Sequence, residues 1–242
     1  MMPDRDRYYA QPIGDVPDFS FNADVVRVFD DMIGRSVPGY DTIVALTGHL
    51  AARFAPGADC VYELGCSTGA SLFSMRQHLA QTAHLIGVDA SEAMIVQCRE
   101  NLAMQSSGCT VTLVTDDITA LEFDETAFVV LNFTLQFVPP EQRDSLLTRI
   151  ARATRAGGAL VLSEKIVFED ADQQALHDAM HLEFKRRNGY SQLEISQKRS
   201  ALERVMVPET LATHRARLLA AGYRSCEVWF QCFNFVSLVA IK

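Results

Sequence analysis

Short apolar runs alternate along this chain with longer stretches in which apolar residues recur at helical spacing. The runs occupy residues 60–63, 85–88, 110–114, 127–133 and 159–163. Runs of this length predict buried strands, and the stretches between them predict helices. Strands that alternate with helices form βαβ units, so we predict an α/β fold with a doubly wound, mostly parallel sheet.

The N-terminal side of the chain is predicted to precede the sheet. Residues 1–20 contain three prolines and little periodicity, which favours an extended arm. Asn22 can cap a first helix, and a second helix is expected over residues 41–54. We expect one domain over residues 1–242, in which residues 1–57 form the arm and the N-terminal helices.

The C-terminal side departs from simple alternation. The glycines within residues 155–158 predict a left-handed end to the helix before the fifth strand. Residues 171–206 predict a charge-rich helical insertion, and residues 208–221 predict a further helix. Two apolar runs, at residues 226–230 and 235–241, are close enough to form an antiparallel hairpin, which gives a sheet of seven strands.

Composition narrows the class of protein. The 242 residues are 48% hydrophobic and 21% charged, which is ordinary for a folded globular protein. No apolar run is as long as a membrane span and the N-terminus lacks a signal-peptide core, so we expect a soluble, cytoplasmic protein without membrane contact. The net charge of −8 argues against direct binding of nucleic acid. The six cysteines lack metal or redox spacing, so we expect reduced thiols and no metal.

The strongest local signal follows the first predicted strand. The apolar run ends at Glu63 and leads into a loop that contains Gly65 and Gly69. Glycines let the backbone turn tightly and approach a ligand, and the free N–H groups at the start of the next helix face that ligand. The segment predicts a cradle for a nucleotide-like cofactor, although a tight βα turn without a ligand has the same pattern.

Polar groups also follow the next three predicted strands. Asp89 ends the second strand and can accept hydrogen bonds from both ribose hydroxyls. Asp117 can accept from an adenine amino group while the Ile118 N–H donates to a ring nitrogen, and Asn132 lies at the end of the fourth strand. Solvated strand-end acids are the simpler alternative. A nicotinamide dinucleotide is another, since its Gly-x-Gly-x-x-Gly/Ala fingerprint matches Gly65 and Ala70 but not Ser67. Glu63, two residues before Gly65, and the predicted C-terminal hairpin argue against this alternative.

Two weaker patterns carry less information. His177 and His181 have the i, i+4 spacing of a zinc pair, but no third ligand follows, so a packing or surface role is expected. Six aromatic residues could form a wall for a ring-bearing substrate, although at strand spacing such residues are more often core. They are Phe133, Phe137, Trp229, Phe230, Phe233 and Phe235.

Longer segments carry a resemblance to a known family. The glycine loop and the strand-end acids resemble the Rossmann-like class I S-adenosylmethionine-dependent methyltransferase fold, with Ser67 in place of the middle glycine of its acid-x-Gly-x-Gly-x-Gly motif. Other stretches closely resemble the carboxy-S-adenosylmethionine synthase family, and the resemblance covers nearly the whole chain. These stretches are residues 31–40, 129–137, 157–165, 194–200 and 229–235.

The resemblance implies an unusual reaction. It implies conversion of S-adenosylmethionine and prephenate to carboxy-S-adenosylmethionine and phenylpyruvate, through a sulfonium ylide that captures carbon dioxide, with hydroxide expelled from prephenate as the base. The product would serve a tRNA carboxymethyltransferase that modifies wobble uridine, and a homodimer is also implied. A conventional small-molecule methyltransferase and a catalytically silent S-adenosylmethionine-binding partner of a tRNA-modifying enzyme are the alternatives.

The resemblance also assigns roles to residues. Arg199 is the implied catalytic residue, because a guanidinium binds the new carboxylate bidentately. Residues 181–204 hold six basic and three acidic residues, which would attract a dicarboxylate. For four of the six a solvated helix face is the simpler interpretation, namely Lys185, Arg186, Arg187 and Arg204. The implied cofactor-binding residues are Tyr40, Gly65, Cys66, Ser67, Asp89, Ala90, Asp117, Ile118, Asn132 and Arg199.

Overall fold

Two helices precede the sheet in the computed structural model, which describes residues 5–57, 59–106 and 108–242. They are α1 (Ala23–Ser36) and α2 (Tyr40–Phe54). The side chain of Asn22 caps α1 by accepting hydrogen bonds at 3.1 Å from the N–H groups of Asp24 and Val25. Both helices lie where the sequence predicts them.

Five strands and three helices then alternate, as predicted. The strands are β1 (Cys60–Leu64), β2 (His84–Asp89), β3 (Thr110–Thr115), β4 (Thr126–Asn132) and β5 (Thr154–Val167). The helices are α3 (Ala70–His78), α4 (Glu92–Ala103) and α5 (Pro140–Ala153), and a short 3-10 helix (Leu135–Phe137) precedes α5.

The C-terminal part contains the insertion and the hairpin. Its elements are α6 (Ala171–Arg187), α7 (Gln192–Leu202), β6 (Glu209–Thr210), α8 (Leu211–Ala221), β7 (Ser225–Cys232) and β8 (Phe235–Ile241). The predicted hairpin is confirmed, because β7 pairs antiparallel with β8. None of the helices that the structure describes is long and apolar enough to cross a membrane.

The strands form one sheet in the order β3-β2-β1-β4-β5-β8-β7, and β8 runs antiparallel to both of its neighbours. The predicted doubly wound, mostly parallel sheet is therefore confirmed. It has eight strands rather than seven, because β6 pairs with the end of β5 beside the main path. The order reverses at β1 and β4, and sheets of this kind bind ligands at the carboxyl ends of the strands beside such a switch point.

Helix α5 ends just before residues 155–158, but the predicted left-handed cap is wrong, because the capping residue Thr154 is extended and the left-handed Gly157, with a φ of 77°, lies within β5. Strand β5 begins directly at Thr154, so these residues extend the strand instead. The Gly157 N–H donates to the Lys242 carbonyl oxygen at 3.1 Å, and the Lys242 N–H donates to the Gly158 carbonyl oxygen at 2.9 Å. A backbone partner at the far end of the chain therefore determines this boundary.

The insertion and the helix after it also differ from prediction. The insertion consists of two helices, because Gly189 has a φ of 83° in the turn between α6 and α7. The helix predicted from residue 208 begins at Leu211, because Glu209 and Thr210 pair with β5. Both differences shape the edge of the sheet where the strands end.

Apolar side chains cover both faces of the sheet. Helices α5 and α8 contribute Leu146 and Leu218 to one cluster, and α2 and α3 contribute Ala51 and Leu72 to the other. Strand β4 is buried through Leu131. The sheet therefore forms a rigid central layer, and its carboxyl edge is a fixed platform for side chains.

The N-terminal arm packs against α7. The Gln197 side chain donates from Nε2 to the Tyr9 carbonyl oxygen at 2.8 Å and accepts at Oε1 from the Ile13 N–H at 2.6 Å. The Phe19 N–H donates to the Ala201 carbonyl oxygen at 3.0 Å. These bonds hold the arm against the insertion above the carboxyl edge of the sheet.

A buried arginine ties together three segments at that edge. Arg143, on α5, is 0% exposed. Its guanidinium donates to the carbonyl oxygens of Gln136, Val138 and Val207 and forms an ion pair with Glu209 at 2.5 Å. One side chain thus joins the 3-10 helix, the segment after α7 and strand β6.

We expect Arg143→Met to lower the free energy of unfolding by about 3 kcal/mol, because it leaves buried carbonyl oxygens without a donor. Arg155→Met is the matched control, since it breaks an ion pair with Asp59 in which the arginine is 41% exposed. The control should cost less than about 1 kcal/mol. Chemical denaturation followed by circular dichroism measures both free energies, and equal losses would contradict the role assigned to Arg143.

Candidate active site

A cavity of about 740 Å³ lies at the carboxyl edge of the sheet, under the N-terminal arm and between α1 and the two helices of the insertion. Eight of the ten residues implied to bind the cofactor line it. They are Gly65, Ser67, Asp89, Ala90, Asp117, Ile118, Asn132 and Arg199. The fold therefore brings the glycine loop, the strand ends and the distant insertion to one site.

The glycine loop is held by β2. The N–H groups of Gly65 and Cys66 both donate to the Val88 carbonyl oxygen, at 2.8 and 2.9 Å. Gly65 has a φ of 80°, and a Cβ at this position would lie 2.3 Å from Thr134 Oγ1. Only glycine fits there without a shift of the neighbouring chain. The absence of a side chain at Gly65 therefore lets the loop lie directly against Thr134, the second residue after β4.

Ser67, which stands at the middle glycine position of the motif, has a backbone conformation that glycine adopts more easily. Its φ of 49° is in the left-handed region, which costs a residue with a side chain about 1 kcal/mol. The Ser67 N–H donates to Asp89 Oδ2 at 2.9 Å, and Asp89 Oδ1 accepts from the Ser91 N–H at 2.9 Å. Burial raises the pKa of Asp89, and these N–H groups oppose the rise. Each carboxylate oxygen still has a lone pair for a ligand hydroxyl.

Further carboxylates follow β3 beside Asp89. The Asp116 N–H donates to the Asp89 carbonyl oxygen at 3.2 Å, and Asp117 Oδ1 accepts from the Thr119 N–H at 2.8 Å. Ile118 is buried next to them. Because Asp89, Asp116 and Asp117 all line the cavity, we call this part its acidic end.

Asn132 is held at both ends of its amide group. Its Nδ2 donates to Ser71 Oγ at 2.9 Å, and its Oδ1 accepts from Ser163 Oγ at 2.6 Å. Ser163 Oγ is in turn 2.7 Å from Ser237 Oγ. Glu63 is buried beside this group, and burial raises the pKa of Glu63 well above its usual value.

The other end of the cavity is basic. Lys165 near the end of β5, Lys185 on α6, and Lys198 and Arg199 on α7 line it. Strands β2 and β5 are three positions apart in the sheet, which separates the two ends by about 14 Å. Burial lowers the pKa of Lys185 to about 8 and that of Lys198 to about 7. Among the described residues, Arg199 has no ion-pair partner.

The solvated-face interpretation holds for three of the four residues to which it was applied. Arg186 bonds to Gln192, Arg187 pairs with Glu183, and both arginines are exposed. Arg204 pairs with an acid of the arm and is exposed too. For Lys185 the interpretation is wrong, because the side chain is half-buried in the cavity wall. Charge spacing along a helix does not reveal which of its residues faces a cavity formed by other elements.

Sequence reasoning missed two contributions to the cavity. Lys165 lies near the end of a buried strand, the same position that identified Asp89 and Asn132, so the strand-end rule could have found it. Phe19 and Phe21 line the cavity from the arm, and the Phe21 ring lies 5.4 Å from that of Phe137. Their sequence gives no sign of this contact, because the arm has no periodicity.

Tyr40 and Cys66 are placed outside the cavity lining. The Tyr40 ring packs 6.3 Å from that of Phe133, and burial raises its pKa. The Cys66 side chain is buried, and contact with the Cys98 thiol together with burial raises its pKa well above the usual value. Cys66 reaches the site only through its backbone, and Tyr40 lies behind Phe133 in the cavity wall.

The two histidines of the zinc-like pair have other contacts. The His181 ring donates from Nε2 to the Ser36 carbonyl oxygen at 2.8 Å, and burial lowers its pKa to about 3. The His177 ring stacks on Phe168 with centroids 4.3 Å apart. No cluster of three metal-ligating side chains occurs among the residues that the structure describes. The geometry favours packing roles for both imidazoles.

Half of the predicted aromatic wall lines the cavity. Phe133, Phe137 and Phe235 contribute to its surface. The other three are not cavity-lining residues, and Trp229 and Phe230 pack in the cluster behind Phe133 and Phe235. The cavity therefore combines an aromatic wall with charges of opposite sign at its two ends.

Known proteins resemble this chain both in one domain and over its full length. Residues 61–158 match the family described as "Methyltransferase domain". A carboxy-S-adenosyl-L-methionine synthase from Stutzerimonas stutzeri is 53% identical over 100% of both chains, and one from Trichlorobacter lovleyi is 54% identical over 98% of both.

Solved structures share the fold at lower identity. Human N-acetylserotonin methyltransferase in complex with SAM has a TM-score of 0.61 at 15% identity, and the cyclopropane synthase MmaA2 from Mycobacterium tuberculosis has a TM-score of 0.58 at 11% identity. The matches cover 91% and 77% of this chain, and 55% and 62% of those two chains. They show that the fold is that of class I S-adenosylmethionine-dependent methyltransferases.

We expect Gly65→Ala to weaken binding of S-adenosylmethionine by about tenfold or more, because the new Cβ would displace Thr134 and strain the loop. Gly34→Ala on α1 is the control, since a Cβ there meets nothing within 4 Å. Isothermal titration calorimetry measures both affinities. Unchanged binding by the Gly65 variant would mean that the loop does not hold the cofactor.

Proposed function

The chain belongs to the carboxy-S-adenosyl-L-methionine synthase family, and from that premise we propose that it converts S-adenosylmethionine and prephenate to carboxy-S-adenosylmethionine and phenylpyruvate. One observation carries the proposal, namely the pairing of an acidic and a basic end in a single cavity. The adenosyl group of S-adenosylmethionine suits the acidic end, because its ribose hydroxyls and amino group donate hydrogen bonds to carboxylates, and a carboxylate co-substrate suits the basic end.

We propose that the acidic end holds the adenosyl group. Asp89 would accept from the ribose hydroxyls with the lone pairs that Ser67 and Ser91 leave free. Asp117 and the Ile118 N–H would bind the adenine edge, while the loop from Gly65 would cradle the methionine part. Asn132, fixed by two hydroxyl groups, would then lie close to the sulfonium.

Arg199 is proposed to bind the carboxylate that the sulfonium methyl group acquires. It faces the cavity from α7 and has no ion-pair partner among the described residues, so its guanidinium is available to an anion. A planar guanidinium can donate two parallel hydrogen bonds to a carboxylate. The site would therefore favour the carboxylated product over unmodified S-adenosylmethionine.

The proposed reaction balances without a protein base. Prephenate loses its ring carboxylate as carbon dioxide and its hydroxyl as hydroxide when the ring becomes aromatic. Hydroxide removes a proton from the sulfonium methyl group to give water and an ylide, and the ylide carbon forms the new bond to carbon dioxide. Phe133, Phe137 and Phe235 would keep bulk water from the ylide, which water would otherwise reprotonate.

We further propose that the protein acts in the cytoplasm as a homodimer and that another enzyme uses its product to carboxymethylate wobble uridine in tRNA. All six cysteines are free thiols, as is usual in a reducing compartment. The net charge of −8 disfavours direct contact with RNA. On α6, Leu176 and Met180 are 58% and 39% exposed one turn apart, which suits a subunit contact.

Incubation with S-adenosylmethionine and prephenate labelled with carbon-13 in the ring carboxylate should yield a product heavier than S-adenosylmethionine by one labelled carbon dioxide. Mass spectrometry of the released ligand measures this, with a reaction lacking prephenate as control. Recovery of unmodified S-adenosylmethionine alone would refute the proposal. Methyl transfer to an added small molecule would favour the conventional methyltransferase, the alternative to which the methyltransferase fold also points.

Arg199→Lys should reduce carboxylated product by about tenfold or more while S-adenosylmethionine binds within about twofold of its original affinity, because an ammonium cannot replace the bidentate guanidinium. Arg187→Lys on α6, an exposed residue paired with Glu183, is the control and should change neither quantity. Product formation and calorimetric affinity give the two readouts. Equal losses in both would indicate a structural role for Arg199.

A further inference from the structure

Of the three lysines at the basic end of the cavity, Lys198 donates a hydrogen bond to Ser36 Oγ at 3.0 Å, whereas no such bond holds the ammonium groups of the other two among the described residues. Lys165 near the end of β5 and Lys185 in the last turn of α6 both line the cavity and are both half-buried. Among the described residues, neither forms an ion pair. A partly buried cation without a counter-charge is costly, and an anionic ligand in the cavity would supply that counter-charge.

The nearby carboxylate does not neutralise them. Asp178 lines the same part of the cavity, but its Oδ2 already accepts from Gln174 Nε2 at 2.8 Å and its Oδ1 from Asn234 Nδ2 at 3.4 Å. Burial lowers the pKa of Lys185, Lys165 and Arg199 lower it further, and Asp178 opposes the change. Burial likewise lowers the pKa of Lys165. Around Lys185, the single negative charge of Asp178 is therefore set against the positive charges of both Lys165 and Arg199.

The two lysines stand on rigid elements. Lys165 belongs to β5 and pairs with Phe235 of β8, and its N–H donates to Gln136 Oε1 at 3.2 Å. The residue before it, Glu164, is buried and accepts from the Leu135 N–H at 2.9 Å. Burial raises the pKa of Glu164 to about 8. The sheet thus fixes the backbone of Lys165, and α6 supplies the second ammonium group.

We propose that Lys165 and Lys185 form a subsite for a second carboxylate of the co-substrate, the one that is not transferred. The inference rests on the proposed function. Prephenate carries two carboxylates, of which the ring carboxylate leaves and the side-chain carboxylate remains in phenylpyruvate. Arg199 then meets the transferred group, and the lysine pair holds the part that stays. The pair consequently selects a dicarboxylate over a monocarboxylate co-substrate.

Phenylpyruvate is the probe that separates the two roles, because it retains only the side-chain carboxylate. We expect Lys185→Met and Lys165→Met each to raise the inhibition constant of phenylpyruvate by about tenfold, because each substitution removes a charged hydrogen bond to its carboxylate. Arg199→Lys should leave the inhibition constant of phenylpyruvate within about twofold. Arg187→Met, two residues beyond Lys185 and exposed, is the matched control and should behave as the unchanged protein.

The affinity of each variant for S-adenosylmethionine, measured by calorimetry, verifies that the site is folded. With that affinity retained, unchanged phenylpyruvate inhibition in both lysine variants would overturn the proposal. An equal rise in the Arg199 variant would overturn it too, because the two carboxylates would then share one subsite. If the unchanged protein makes no carboxylated product from prephenate, the proposed function fails and the inference fails with it.

Discussion

Carboxylates lie at one end of a single, partly buried cavity and basic side chains lie at the other end. The order of the strands in the sheet keeps the two groups apart. The carboxylates of Asp89, Asp116 and Asp117 lie where β2 and β3 end, whereas the basic groups lie near the end of β5 and on the insertion. Charges interact more strongly in such surroundings than in water. The three strand positions between β2 and β5 therefore set how far the ribose-binding carboxylate of Asp89 lies from the basic groups that would bind a carboxylate.

Neutral hydrogen bonds fix the groups between these two ends. Asn132 cannot rotate freely because Ser71 and Ser163 hold both ends of its amide. On the outer wall, Arg143 joins the 3-10 helix to β6, and the arm closes over the cavity through Gln197. A site held in this way is organised before its ligands arrive, which lowers the cost of ordering it on binding.

Local rules predicted much of the fold and of the acidic end. Asp89 and Asn132 were identifiable because the carboxyl ends of parallel strands share one edge, and Asn22 because a helix cap needs only neighbouring N–H groups. The rest depends on distant partners. Residues 155–158 join β5 because Lys242 bonds to them, and Lys185 faces the cavity only because α6 packs through His181 against Ser36 and Phe235. The sequence around these residues contains no pattern that indicates such distant partners.

A crystal structure with carboxy-S-adenosylmethionine bound tests the two-ended cavity most directly. A two-ended cavity predicts the ribose hydroxyls at Asp89, the adenine at Asp117 and Ile118, and the new carboxylate within hydrogen-bond distance of the Arg199 guanidinium. A ligand in the reverse orientation, with its adenine at the basic end, would contradict this arrangement. So would a ligand whose carboxylate points away from Arg199 into solvent.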